Sequence, residues 1–138
     1  MSSVKHRYNG EYAERIAIEK LSSNNIFMLN YEKFGLIDLS DTKNHIYFEI
    51  KSCMRKIRNG YKNNGYQNKA FGRFLFRQDQ HSFLKEKDGY YIFIVIDNVN
   101  NKREIIKFEI RKASHVILNF NGKERLNISW KKIFVGDE

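Results

Sequence analysis

The seven residues from Tyr90 to Ile96, YYIFIVI, limit the possible folds more than any other stretch of the chain. A continuous β-branched and aromatic run predicts a strand covered on both faces, and so the centre of a sheet rather than its edge. Helical spacing predicts a helix from about Gly10 to Ser23, with Asn9 as N-cap, Glu11 in the first turn and Asn24-Asn25 at its end. Apolar runs predict strands at Leu36 to Leu39 and His45 to Lys51, a short strand or an entry segment at Phe71 to Phe76, then a helix from Gln78 to Lys87 stopped by Gly89. After the central strand come a turn at Asp97 to Lys102, an outer strand at Glu104 to Ile110, a short helix at Arg111 to Asn119 and a last strand at Asn127 to Phe134. This order predicts an α/β fold with a mixed central β-sheet flanked by helices.

The chain has 138 residues, enough for one hydrophobic core and too few for two. Residues 1–138 are therefore read as a single domain, with a basic arm at 1–8 and a basic mobile loop at about 53–70. No apolar run approaches the ~20 residues that span a bilayer, and the first residues lack the apolar core of a secretory signal. The expectation is a cytoplasmic protein with no membrane association. Cys53 is the sole cysteine, which excludes an internal disulfide and a cysteine-based metal site.

Chemistry concentrates between Gly35 and Ser52, GLIDLSDTKNHIYFEIKS. Alternation from His45 to Lys51 puts Ile46, Phe48 and Ile50 on one side and Tyr47, Glu49 and Lys51 on the other. Turn formers from Ser40 to Asn44 suggest a hairpin, which would bring Asp38 within reach of Glu49. Two carboxylates could then hold a hard divalent cation, and a lysine beside them could orient a water or offset charge on a phosphate. The plainer alternative is a turn-forming aspartate and a solvated same-face pair. Glu14 falls inside the apolar arc of the first helix, formed by Tyr12, Ala13, Ile16, Ala17, Ile18 and Leu21, where a carboxylate is costly without a partner.

The net charge of +9 is local. Ile50 to Gln78 contains no acid, but it holds Lys51, Arg55, Lys56, Arg58, Lys62, Lys69, Arg73 and Arg77, interleaved with Tyr61, Tyr66, Phe71, Phe74 and Phe76. Outside this stretch, 17 basic residues nearly balance 16 acidic ones. Cations among aromatics suit phosphate neutralisation and base stacking; the alternative is a solvated basic loop.

With Ile37-Asp38, a ten-residue spacer and Glu49-Ile50-Lys51, the sequence resembles the PD-(D/E)XK nuclease superfamily, Ile37 standing where the superfamily's name has proline. The opening Lys5-His6-Arg7-Tyr8-Asn9-Gly10-Glu11-Tyr12-Ala13-Glu14-Arg15 resembles that of archaeal Holliday junction resolvases, so the likeness covers roughly residues 5 to 52. The resemblance implies a restriction-endonuclease-like core and a magnesium-dependent DNA endonuclease, with manganese able to substitute. It implies Asp38 and Glu49 as metal ligands together with the Ile50 carbonyl, Glu14 as an outer or second-metal ligand, and Lys51 positioning the attacking water. Lys5, Arg7, Arg15, Ser52, Arg55, Lys56, Arg58, Lys62, Lys69, Arg73, Arg77 and Gln80 would contact DNA. Gln80 sits early in the second helix, where several nucleases of the superfamily place a glutamine; a solvated helix residue is the alternative. His81 beside it is a candidate proton shuttle or a structural histidine.

The implied substrate is branched DNA, and the implied assembly is a homodimer, because paired cuts need two sites. Two other readings fit the same residues. One is a small type II restriction or homing-type endonuclease cutting linear duplex; the other is a non-catalytic nucleic-acid-binding module whose basic segment is its function.

Overall fold

The computed structural model describes residues 2–23, 39–41, 46–58 and 69–135. In chain order the elements are α1 (Ser2–Ser23), β1 (Leu39–Asp41), β2 (Ile46–Met54), β3 (Lys56–Arg58), β4 (Lys69–Phe71), β5 (Arg73–Arg77), α2 (Gln78–Glu86), β6 (Tyr90–Val99), β7 (Lys102–Lys112), a 3₁₀ turn at Ala113–His115, β8 (Arg125–Ser129) and α3 (Trp130–Ile133). A four-stranded sheet has the order β1-β2-β6-β7. The β2–β6 pair is parallel, and the β1–β2 and β6–β7 pairs are antiparallel. Strands β5 and β8 form a separate antiparallel pair, as do β3 and β4.

The apolar run is central, as expected: every side chain from Tyr91 to Ile96 is fully buried. Removing such a side chain from water contributes ~1.5–3 kcal/mol each. Period-2 alternation divides the run between two cores. Ile92, Ile94 and Ile96 pack with Phe48 and Ile50 of β2 beneath Ala13 and Ala17 of α1. Tyr91, Phe93 and Val95 face Phe74 and Phe76 of β5, Leu84 of α2, Val116, Phe120, Trp130 and Phe134. The mixed sheet is thus flanked by helices on both faces. The β6–β7 hairpin closes at Asn100-Asn101, both at positive φ (53° and 63°), which is type I′ geometry that asparagine tolerates. Among the described residues no helix is long and apolar enough to cross a membrane.

Several sequence-based expectations are corrected. Residues 2–8 are not a separate arm, because α1 is helical from Ser2. Asn9 is not its cap; a glycine inside a helix costs only about 1 kcal/mol, too little to stop this one at Gly10. Within the expected loop at 53–70, β2 runs to Met54 and β3 and β4 take up residues 56–58 and 69–70, held by pairing of Lys56 with Phe71 and of Arg58 with Lys69; residues 59–68 lie outside the described residues. The short helix at Arg111 to Asn119 is replaced by continued strand to Lys112 and one 3₁₀ turn, because Arg111 and Lys112 extend the ladder with Tyr91 and Tyr90. The last strand ends at Ser129, whose hydroxyl accepts the Lys131 N–H (3.3 Å) and caps α3. Asp38, His45, Lys62 and the expected strand residues Leu36 and Ile37 lie outside the described residues.

Candidate active site

Strand β2 carries Glu49 and Lys51 on one face, and its parallel register with β6 places them beside Tyr91 and Phe93. They therefore enter the apolar layer under β5 and α2. The Glu49 residue is 4% exposed. Lys51 Nζ lies 3.3 Å from Glu49 Oε2 and 3.0 Å from Gln80 Oε1, with the Phe76 ring centroid 5.8 Å away. Taking both charges out of water costs several kcal/mol each unless they meet partners, and here the ammonium has two acceptors. A costly ion pair set into an aromatic pocket is characteristic of a functional site.

Gln80 is delivered by the start of α2. Arg77 is the N-cap residue without a side-chain cap, Asp79 lies in the first turn, and Gln80 N–H donates to Asp79 Oδ1 (2.8 Å). Arg77 Nη2 donates to Asp79 Oδ2 (2.5 Å), so this arginine is tied to its own helix. Arg77, Gln78, Asp79, Glu124 and Arg125 line a pocket of about 290 Å³.

His81 faces inward behind Gln80, with Nδ1 3.0 Å from the Tyr91 hydroxyl. Burial first, and then the charge of Lys85, hold its pKa below the ordinary 6.5. Burial and the nearby Glu49 carboxylate push the Tyr91 hydroxyl well above its usual value. His81 therefore binds its proton less readily in the fold than in the unfolded chain. Below pH 6.5 the unfolded state binds more protons, so acidification destabilises the protein. Urea midpoints should show His81→Asn narrowing its stability deficit against the parent between pH 7.5 and pH 5. A constant deficit would contradict this account. Burial pushes the Cys53 thiol up to about 12, which makes it a packing residue rather than a nucleophile.

The other sequence-predicted residues are dispersed. Glu14 is half-buried on α1, the helix covering the opposite face of β2 from Glu49 and Lys51. Arg15 is exposed on the same helix, its guanidinium 5.6 Å from the Tyr12 ring. Lys5 and Arg7 fall in the first turns of α1, and Arg58 and Lys69 pair across β3 and β4. Ser52 is half-buried on the strand face opposite Lys51. Arg55 is engaged with Asp97 (2.9 Å), while Lys56 and Arg73 are exposed. Sequence reasoning missed Tyr91 and Asp79 as neighbours of the site. The signal for Tyr91 was a hydroxyl in a strand buried on both faces, where it must find a partner.

Among the described residues no three His, Cys, Asp or Glu side chains gather into a metal-binding group. The expected donor set, Asp38, Glu49 and the Ile50 carbonyl, consists of oxygens and includes a nearly buried carboxylate, which suits a hard divalent cation.

A family model described as a PD-(D/E)XK nuclease superfamily domain matches residues 1–134. No curated protein and no solved structure matches the chain significantly. The match spans nearly the whole chain, and the restriction-endonuclease-like mixed sheet carries Glu49-Ile50-Lys51 on the strand beside its centre. The chain belongs to the PD-(D/E)XK nuclease superfamily.

Proposed function

We propose that the protein is a metal-dependent DNA endonuclease that cuts branched DNA. The observation that carries the nuclease chemistry is the Lys51 ammonium, held between Glu49 and Gln80 in an aromatic pocket. Asp38, Glu49 and the Ile50 carbonyl would hold magnesium, which when bound would supply Lewis acidity and lower the pKa of a water; Glu14, carried by the helix over the opposite face of β2, is not among these ligands. Lys51 donates hydrogen bonds to the attacking water and offsets charge on the pentavalent phosphate. Gln80 fixes the direction of the ammonium, and Phe76 and Tyr91 keep bulk water from the pair. Hydrolysis breaks the P–O3′ bond, leaving a 5′-phosphate and a 3′-hydroxyl.

Support for branched DNA comes from the likeness of residues 5–52 to junction resolvases and from basic residues on β3 to β5. Since the described residues hold one such site, paired cuts imply a two-fold homodimer. The test is cleavage of a labelled synthetic four-way junction beside a linear duplex built from the same arms, both in magnesium. Paired symmetric nicks on the junction alone are expected. Cutting of both substrates at one sequence would replace the junction reading with that of a restriction enzyme.

A further inference from the structure

Phe71 is 40% exposed, whereas Phe48, Phe74, Phe76, Phe93, Phe120 and Phe134 are buried. Two cations from distant parts of the chain approach its ring. Lys56, its cross-strand partner on β3, places Nζ 6.0 Å from the ring centroid. Lys131 of α3 places Nζ 5.1 Å away, and 5.2 Å from Trp130. Neither ammonium has a carboxylate partner among the described residues.

The ring is also held in place. It meets Trp130 edge-on, with centroids 5.9 Å apart and planes at 84°. The Arg55 carbonyl accepts both the Trp130 indole N–H (2.8 Å) and the Gly72 N–H (3.2 Å), and the Gly72 carbonyl accepts the Trp130 backbone N–H (3.1 Å). Arg55 N–H in turn donates to the Ile96 carbonyl of the central strand (2.7 Å). The aromatic platform is thereby anchored to the end of β2, about 10 Å along that strand from Lys51.

An exposed ring beside cations that have no carboxylate partner among the described residues is what a single nucleotide needs. The π-face stacks on any base, and the ammonium groups bind the adjoining phosphates. A base inside a duplex is already stacked on its neighbours and cannot take the place. We propose that Phe71, Lys56 and Lys131 form a subsite for an unpaired nucleotide of the substrate DNA, so that the protein reads exposed bases near the cut. The subsite rests on the nuclease reading above, which it deepens, and it makes single-stranded character part of what is recognised.

The test is equilibrium binding of a labelled oligothymidine strand and of a blunt duplex, in EDTA so that nothing is cut. Phe71→Leu keeps apolar contact with Trp130 but loses the π-face. It should weaken single-strand binding about tenfold and leave duplex binding within about twofold, while Phe71→Tyr restores it. Lys131→Ala should lower the salt dependence of single-strand binding by about one phosphate contact. Single-strand binding unchanged in Phe71→Leu, or equal losses on both probes, would overturn the subsite, as would failure of the parent protein to bind the single strand. Cleavage assayed separately in magnesium distinguishes the two readings. A protein that binds through Phe71 without cutting keeps the subsite and loses the nuclease assignment, and the converse loses only the subsite.

Discussion

Lys51→Met is expected to lower single-turnover cleavage about 10²–10³-fold, the usual loss when one hydrogen-bond donor to developing charge is removed. Methionine leaves an apolar chain beside Phe76 and deletes the ammonium. That deletion also strands Glu49, 4% exposed, without the cation 3.3 Å from it, and breaking a buried pair from one side costs about 3–5 kcal/mol. Loss of activity could therefore reflect loss of folding. The double variant Glu49→Gln/Lys51→Met separates the two, because it removes both charges and should recover much of the stability. Cleavage should stay abolished. Activity returning with stability would mean that the pair only holds the fold together.

The second large effect is structural. A Cβ added at Gly72 would lie 1.8 Å from the Met54 carbonyl oxygen and 2.9 Å from its carbon, both backbone atoms of the strand that carries Lys51. Backbone cannot swing aside as a side-chain tip can. Gly72 is also fixed on both sides by its bonds to Arg55 and Trp130. Gly72→Ala should cost about 3 kcal/mol or more, lowering the melting temperature by roughly 10 °C. Gly10→Ala, where an added Cβ meets nothing within 4 Å, should instead be neutral or slightly stabilising. Equal melting temperatures for the two variants would show that the β4–β5 junction packs differently.

What was legible in the sequence follows from periodicity. Tyr90 to Ile96 declared a doubly covered strand, and alternation put Glu49 and Lys51 on one face; both stand in the fold. Composition located the cationic stretch but not its division. Arg55 and Arg77 are engaged with Asp97 and Asp79, while Lys56 and Arg73 face solvent. Contacts set by tertiary packing left no local trace. Lys51 and Gln80 are 29 residues apart and meet because β5 and α2 lie over the β2 face; Gln80 alone carried no signal that it would be buried. Phe71 and Lys131 likewise come together only through the tie of Trp130 to Arg55. Strand and helix ends were misread where pairing outweighed local preference, as at Arg111 and Lys112, or where a cap was overlooked, as at Ser129.

The central claim is that Glu49 and Lys51 serve metal-dependent phosphodiester cleavage. Its most direct measurement is single-turnover cleavage of an end-labelled four-way junction by the parent protein and the folded Glu49→Gln/Lys51→Met variant, each with magnesium and with EDTA. The account predicts cleavage by the parent in magnesium alone, with 5′-phosphate ends, and none by the variant under either condition. Cleavage that survives EDTA or the double substitution, or a parent protein that binds the junction and never cuts it, would contradict the account.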